Sequence, residues 1–401
     1  MATLQIISLF SHLTMICVMM MSSCHGAFAT DPALDTSTTT STAALFVFGD
    51  STVDPGNNNY ITTIPEHQAN YKPYGQNGFF DHPTGRFSDG RVIVDYIAEY
   101  AKLPLIPPFL GPTSDYTNGV NFASGGAGVL PETNQGLAID LPTQLRYFEE
   151  VQKRLTKKLG EEKAKEVISE AVYFISIGSN DYMGGYLGNP KMQELYNPEQ
   201  YVGMVIGNLT QAIQVLYDKG GRKFGFLRLA PLGCLPAFRA VNLRATKGRR
   251  GSFEGASALA LMHNDALNTV LANLGFVLKE FKYCSSNFYE WLQERIDHPY
   301  KYGFKDGMNA CCGSRPYGGS FTCGGTKKDK DYQLCNNADD YIWWDSFHAT
   351  ERIQEQLAKG LWSGEPFYVG PYNLESLFFE KEKLTIGIIV DKPEADPFQS
   401  F

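Results

Sequence analysis

One serine of this chain lies where a nucleophile would be held. Ser51 ends the sequence Gly49-Asp50-Ser51, which follows the apolar run 44–48 and precedes a turn rich in Gly and Asn. A buried strand that leads into such a turn presents a hydroxyl at the carboxyl edge of a sheet, where α/β proteins place reactive groups. The alternative is that Ser51 caps a following helix and the asparagines only form turns.

A serine nucleophile needs a base. The histidines that follow residue 29 are His67, His82, His263, His298 and His348. His348 has an acid three positions earlier, Asp345, and in a turn this spacing returns both side chains to one side. The apolar run 341–344 before them predicts shielding from water, which strengthens the coupling of an acid–imidazole pair. The alternative is that Asp345 caps a helix and His348 lies on its surface.

Two loops offer donors for an oxyanion. The glycine loop, residues 119–128, is flexible enough to turn backbone N–H groups toward a ligand. The second loop, residues 177–181, follows a strand-like run and presents the side-chain amide of Asn180. Neither phosphate-binding glycine motif is met in the first loop. The alternative is that both loops are tight turns.

Four blocks follow one another along the chain: the Ser51 turn, the glycine loop, the Asn180 loop and the Asp345–His348 pair. In this order they resemble the plant GDSL esterase/lipases, a branch of the SGNH serine hydrolases, and within them a subgroup linked with defence. The resemblance runs from residue 45 to about residue 377, and stretches 83–91, 231–236 and 302–313 look like that group too. The Gly-x-Ser-x-Gly pentapeptide of α/β-hydrolases is not found in the sequence.

The resemblance implies a role for each block. Ser51 is then the nucleophile, His348 the general base and Asp345 the group that orients the imidazole. The oxyanion hole is formed by the N–H groups of Ser51 and Gly126 together with the side-chain amide of Asn180. The implied substrate is a small-molecule or lipid ester, and the resemblance implies neither a metal nor an organic cofactor.

The resemblance leaves a choice between two glycines and shows one departure from the family pattern. Gly126 is preferred to Gly125 as the donor, because it falls five positions after Asn121. Ala349 stands where many relatives carry Pro, which predicts a local change in the turn after His348 without loss of chemistry.

The elements that position these residues follow from the pattern of the chain. Apolar runs at 44–48, 171–177 and 223–229 alternate with long amphipathic stretches. The predicted helices are 142–159, ending at Gly160, then 198–219, with Asn197 as cap and Pro198 in the first turn, and 252–281. Such alternation is typical of a parallel sheet covered by helices. We predict an α/β fold: a three-layer α/β/α sandwich with a mostly parallel central sheet of the SGNH or flavodoxin-like type.

Composition and the chain ends set the domain organisation. With 43% apolar and 19% charged residues in 401, the chain is globular, and its formal charge of −8 disfavours nucleic acid as a partner.

Residues 1–29 lack Asp, Glu, Lys and Arg and end in Ala27-Phe28-Ala29, which predicts a secretory signal cut near Ala29. An uncleaved membrane anchor is the alternative. We expect a flexible leader at 30–43, one domain at 44–390 and a flexible tail at 391–401.

Cysteine usage fits an extracellular protein. Six cysteines follow residue 29, and an even number in a secreted chain favours disulfides. Adjacent Cys311 and Cys312 cannot bridge each other without strain, so each is expected to pair elsewhere, with Cys323 and Cys335 as nearby candidates. Zinc is the weaker interpretation, because no Cys-x-x-Cys pair exists. A sequon at Asn208 predicts one N-glycan.

The sequence therefore predicts a secreted, extracellular serine ester hydrolase acting on acyl, lipid or specialised-metabolite esters through an acyl-serine intermediate. Two alternatives stay open. An acyltransferase of the same fold would pass the acyl group to an alcohol, and a non-catalytic secreted protein would keep the fold only for association. The natural ester and the oligomeric state are not predicted.

Overall fold

A six-stranded sheet lies at the centre of the described part of the protein, which is shown here as a computed structural model. The strands of the chain are β1 (Leu45–Gly49), β2 (Gly119–Asn121), β3 (Val172–Ser176), β4 (Lys223–Phe226), β5 (Lys282–Ser286), β6 (Asp306–Ala310), β7 (Cys312–Gly313), β8 (Gln333–Leu334), β9 (Tyr341–Trp343) and β10 (Val369–Pro371). The central sheet has the order β10-β5-β4-β3-β1-β2. All its neighbouring pairs are parallel except β10 with β5. The predicted mostly parallel sheet is confirmed.

The described residues are 43–324, 332–365 and 368–379, and they belong to one compact unit of the chain. The predicted signal at 1–29, the tail at 391–401 and all of the leader at 30–43 except its last residue lie outside them. The domain boundaries therefore stay predictions. In the part of the chain that the structure describes, we find no helix with the length and apolar character needed to cross a membrane.

Helices cover the sheet on both faces. They are α1 (Ile93–Tyr100), α2 (Leu141–Leu159), α3 (Glu161–Glu170), α4 (Pro190–Leu195), α5 (Pro198–Asp218), α6 (Pro236–Ala245), α7 (Glu254–Val277), α8 (Phe288–Asp297), α9 (Glu351–Ser363) and α10 (Leu374–Phe379). Alternate side chains of a strand point to opposite faces. Tyr173 of β3 contacts Phe148 of α2, with ring centroids 5.6 Å apart, whereas Phe174 points to the face where Leu374 of α10 packs. This arrangement is the predicted three-layer sandwich.

The buried strands explain why the apolar runs are continuous. Every residue of β1 and β3 is buried, since both faces of the sheet are covered. The predicted strand 223–229 is shorter than expected. It ends at Phe226; Leu227 N–H still donates to the Ile175 carbonyl of β3 at 3.0 Å, but at Leu229 the side chain of Asn264, and not a neighbouring strand, bonds the N–H and C=O at 2.8 and 2.9 Å.

The helix boundaries follow local capping chemistry. The Asp140 side chain accepts from Thr143 N at the start of α2, and the helix ends before Gly160, whose φ is 83°. Asn197 caps α5 as predicted, accepting from Gln200 N at 2.8 Å. The predicted helix 252–281 is shorter, because Leu278 is already extended and the chain enters β5 at residue 282.

Two disulfides, Cys311–Cys335 and Cys312–Cys323, lie in a small second core, which we call the disulfide core. Its other buried members include Tyr74, Phe87 and Trp344. The expectation that Cys311 and Cys312 each pair with one of the two nearby cysteines is confirmed. The other two cysteines, Cys234 and Cys284, are buried free thiols, so the even count did not mean that all six pair.

Candidate active site

The backbone at the end of β1 fixes the position of Ser51. The N–H of Asp50 donates to the carbonyl of Ser176 on β3 at 3.0 Å, which holds the turn against the sheet. The Asp50 carboxylate then accepts from Thr52 N at 2.9 Å, on the far side of the serine. Burial raises the pKa of Asp50, although the Thr52 bonds oppose this. Ser51 itself remains partly exposed at the carboxyl edge of the sheet.

A glycine is required at position 49 because the backbone of β3 lies very close to it. A Cβ at this position would overlap the carbonyl oxygen of Ser176 and lie 2.6 Å from Val53 Cγ2. The buried Gln144 of α2 bonds both backbone groups of Gly49, accepting from its N–H at 2.9 Å and donating to its carbonyl at 2.8 Å. The last residue of β1 is thus fixed from two sides, just ahead of the reactive turn.

Ser51 meets an imidazole that comes from the other end of the chain. His348 Nε2 lies 2.8 Å from Ser51 Oγ, and His348 Nδ1 lies 2.8 and 3.0 Å from the two carboxylate oxygens of Asp345. Asp345 also accepts from the N–H groups of Phe347 and His348, both at 2.9 Å, so the pair sits in a tight turn. The helix that follows, α9, has Thr350 and not Asp345 at its N-cap position.

Asp345 is 1% exposed, and its charge is held by its partners. Burial alone would raise the pKa of Asp345, but His348, Tyr74 and the Phe347 N–H lower it below its ordinary value. The Tyr74 hydroxyl donates to Asp345 Oδ2 at 2.6 Å from within the disulfide core. The ring of Phe87 lies 4.7 Å from the imidazole, centroid to centroid, and covers one face of it. A charged carboxylate thus faces an imidazole in a largely dry environment.

The three groups of the predicted oxyanion hole have N–H hydrogens without a protein partner. In the described part of the chain, neither Ser51 N–H nor Gly126 N–H has a hydrogen-bond partner, whereas Gly125 N–H donates to Asp54 at 2.9 Å. Asn180 Nδ2 donates to the carbonyl of Ala127 at 2.9 Å, which uses one of its two hydrogens. Buried backbone donors are normally paired, and these donors have hydrogens that no protein group uses. They are therefore available to a ligand.

Two buried aspartates hold the donor loops in place. Asp54 accepts from Gly56, Asn57 and Gly125 N–H, at 2.7 to 2.9 Å. Asp181, next to Asn180, accepts from Val129 and Leu130 N–H and from the Thr133 hydroxyl, at 2.7 to 3.0 Å. Burial raises the pKa of each carboxyl to about 6. Asp54 thereby bonds the glycine loop to the Ser51 turn, and Asp181 bonds the residues directly after that loop to the Asn180 turn.

A cleft opens on this site. It is lined by Ser51, Asn180 and His348 and holds about 750 Å³, a volume that includes its open mouth. Its walls are mostly apolar and include Leu229, Leu232, Phe288, Leu292, Phe347 and Leu357. Among the described residues, no group of three or more His, Cys, Asp and Glu side chains is placed to hold a metal ion.

The structure brings four of the predicted site residues together and places Asn208 apart, and Gly126 is not among the residues that line the cleft. Ser51, Asp345 and His348 form one hydrogen-bonded line, and Asn180 lines the same cleft. Asn208 lies elsewhere, exposed on α5, where its side chain donates to the Met204 carbonyl at 2.9 Å. Glycosylation there stays a prediction.

Sequence reasoning missed the supporting residues Tyr74, Gln144, Asp54 and Asp181. Only Asp54 and Asp181 carried a signal, since each lies next to a predicted block. Tyr74 and Gln144 act through contacts that are distant in the chain, so no local pattern points to them.

A serine, an imidazole and a carboxylate in line at the carboxyl edge of a parallel sheet, with anion donors beside them, define a serine hydrolase of the α/β/α type. Residues 45–361 match the GDSL-like Lipase/Acylhydrolase family. The chain belongs to this family and is a carboxylic ester hydrolase.

Named relatives agree with this assignment. The chain is 49% identical to GDSL esterase/lipase 5 of Arabidopsis thaliana, over 84% of this chain and 87% of the relative. It is 47% identical to GDSL esterase/lipase 1 of the same plant, over 84% and 91%. A GDSL lipase of Tanacetum cinerariifolium is 45% identical, over 84% and 88%.

Proposed function

We propose that the protein hydrolyses carboxylic esters through a covalent acyl-serine intermediate formed on Ser51. His348 Nε2 accepts the hydroxyl proton as Ser51 Oγ attacks the ester carbonyl, and Asp345 stabilises the imidazolium. The oxyanion binds the N–H groups of Ser51 and Gly126 and the Asn180 amide. The ester C–O bond then breaks and the alcohol leaves with the proton from His348.

In the second half of the cycle, His348 takes a proton from water as the water oxygen attacks the acyl carbon; the bond from that carbon to Ser51 Oγ then breaks, His348 returns the proton to Oγ and the acid leaves. The observation that carries this proposal is the unbroken line from Ser51 through His348 to Asp345, with 2.8 Å between successive partners.

The test is the time course of p-nitrophenyl acetate and butyrate hydrolysis. We expect turnover of both esters and, when deacylation is slower than acylation, a burst of about one p-nitrophenol per protein molecule. Adding a primary alcohol and analysing the products distinguishes hydrolysis from acyl transfer. Predominant formation of the new ester would favour the acyltransferase, and failure to cleave any short ester would favour a non-catalytic binding protein.

We further propose that the natural substrate is an acyl, lipid or specialised-metabolite ester, as the apolar walls of the cleft favour an apolar part in the ligand. The resemblance of the sequence to the defence-associated subgroup supports a role in plant defence. Induction of the transcript by pathogen challenge tests that role, and an unchanged level would count against it.

Secretion is proposed on two grounds. The uncharged segment 1–29 ends in a cleavage-site pattern, and the two disulfides are of the kind that persists in oxidising compartments. Sequencing the N-terminus of the extracellular protein should place the new end near residue 30, and glycosidase treatment should remove one glycan from Asn208. Retention of residues 1–29 would contradict the proposal.

The Asn180→Ala variant is expected to fold and to lose about 10²- to 10³-fold in kcat, the usual cost of one oxyanion donor. KM should change little, because this donor acts mainly on the transition state. The matched control is Gln193→Ala. Gln193 also donates its amide to backbone carbonyls, those of Tyr186 and Leu187, but outside the cleft. Equal losses in both variants would argue against the role of Asn180.

Tyr74→Phe is expected to lower kcat about tenfold, because Asp345 loses a hydrogen bond to its charged form that is worth roughly 1.5 to 3 kcal/mol. Tyr173→Phe is the control. Tyr173 is equally buried, but its hydroxyl donates to the Ile168 carbonyl at 2.8 Å, away from the triad. Both variants should lose stability in thermal unfolding, whereas only Tyr74→Phe should change kcat. A kcat equal to that of wild type would show that Tyr74 does not position Asp345.

A further inference from the structure

Among the polar side chains of the cleft that the proposed mechanism does not use, Arg228 and Gln354 are the two longest; the others include Thr52, Ser176 and Ser179. Both lie among walls that are otherwise mainly apolar. A polar group in such a wall costs free energy unless it is paired, so each needs a partner in the protein or in a ligand. The contacts of these two side chains therefore bear on what the cleft binds.

Arg228 follows β4 and lies at the same sheet edge as Ser51. Its Nε donates to the carbonyl of Ser286, which fixes the base of the guanidinium. Its two terminal nitrogens make neither a hydrogen bond nor an ion pair with any residue in the described ranges. Burial lowers the pKa of Arg228, with Asp265 opposing this from beyond ion-pair distance, yet an arginine stays charged at this degree of burial.

Gln354 enters the cleft from α9 and is 4% exposed. Its backbone N–H donates to the Thr350 carbonyl, but no residue in the described part of the chain bonds its side-chain amide. The amide is not among the fully buried side-chain groups that lack a partner, so its polar atoms are still reached from the cleft, where a ligand can bond them. Gln354 thus offers a second polar contact inside the cleft.

We propose that the cleft selects esters that carry a carboxylate on the part lying between its apolar walls, with Arg228 binding the carboxylate and Gln354 bonding a further oxygen. This inference rests on the proposed esterase function and deepens it. The guanidinium presents two parallel N–H donors, which match a carboxylate. Among the described residues that line the cleft, Arg228 is the single Lys or Arg, so the cleft lacks the cluster of cations that favours a phosphate.

The experiment compares esters that differ only in the carboxylate. One pair is monoethyl adipate and ethyl hexanoate, which tests the acyl side. The other is the acetate ester of 6-hydroxyhexanoate and hexyl acetate, which tests the alcohol side. We expect wild type to prefer the carboxylate member of at least one pair in kcat/KM.

In that pair, Arg228→Met should lower kcat/KM for the carboxylate ester about 10- to 100-fold, mainly through KM, and leave the neutral ester within about threefold. Arg228→Lys keeps the charge but not the planar pair of donors, so its kcat/KM for the carboxylate ester should lie between those of wild type and Arg228→Met. Gln354→Leu should lower the ratio of kcat/KM for the carboxylate ester to kcat/KM for the neutral ester by about three- to tenfold.

Arg222→Met is the matched control, since Arg222 lies at the opposite end of β4 and donates to the carbonyls of Tyr217 and Gly221 outside the cleft. It should leave the ratio of kcat/KM for the two esters unchanged.

If Arg228→Met does not fold, an unchanged ratio in Arg228→Lys overturns the inference equally well. Equal losses on charged and neutral esters, or a wild type that disfavours the carboxylate in both pairs, would also overturn it while the esterase function stands. If wild type cleaves no ester of either pair, the esterase function itself fails.

Discussion

Ser51→Ala is expected to lower kcat by about 10⁶-fold and to abolish covalent labelling by an organophosphate, because no other hydroxyl in the described structure shares a hydrogen bond with His348. The residual rate should come from binding and the oxyanion donors alone. Mass spectrometry of the intact protein after labelling gives the answer directly, since one adduct is expected on wild type and none on the variant.

Ser179→Ala is the appropriate control for this experiment. Its hydroxyl lies in the same cleft, next to Asn180, but has no part in the line to Asp345. The variant should still be labelled once. Labelling of Ser51→Ala at the wild-type rate would place the nucleophile at another residue and remove the basis of the mechanism.

Asp345→Asn should have the second-largest effect, a fall in kcat of about 10⁴-fold, with the fold retained. The carboxylate accepts from His348 Nδ1 at 2.8 Å, which leaves Nε2 unprotonated and able to take the Ser51 proton. An amide nitrogen at this place would donate to Nδ1 and favour the wrong tautomer. Steady-state kinetics between pH 5 and about 9 should show the loss throughout, because the pKa of Asp345 is held below its ordinary value.

Asp306 supplies a close control for that substitution. Its Oδ1 accepts from Met308 and Asn309 N–H at 2.8 Å, the same two-residue and three-residue pattern that Asp345 makes with Phe347 and His348. Asp306→Asn should therefore show how much is lost when an amide replaces the carboxylate in such a turn, without any change in the tautomer of His348. A loss of less than about tenfold in Asp345→Asn would mean that the carboxylate does not orient His348.

The sequence was sufficient for the elements with strong local signals. Continuous apolar runs located β1 and β3, and Asn197 and Gly160 marked a helix start and a helix end. It was not sufficient for β2 and β10, which are only three residues long and owe their existence to the strand beside them. The end of β4 was also missed: after Leu227 the bonding to β3 stops and the side chain of Asn264 bonds Leu229, and no residue near position 229 indicates this.

For the site, the residue types that carry chemistry could be predicted, whereas their support could not. Asp345 and His348 are close in the chain, and Ser51 joins them only through the fold. Tyr74 bonds a carboxylate 271 positions away, and Gln144 bonds Gly49 across 95 positions. A tyrosine and a glutamine have many ordinary roles, so their part in the site is visible only once the packing is known.

The disulfide core supports the segment that leads into Asp345. Cys311 and Cys312 donate their N–H groups to the carbonyls of Trp343 and Trp344, directly before Asp345, and Tyr74 packs in the same core. The two disulfides and the backbone bonds to residues 343 and 344 thus belong to one packed unit behind the triad. Under the secretion proposed above, the two disulfides would form only after the chain has left the reducing cytosol, so the support behind Asp345 would be completed after export.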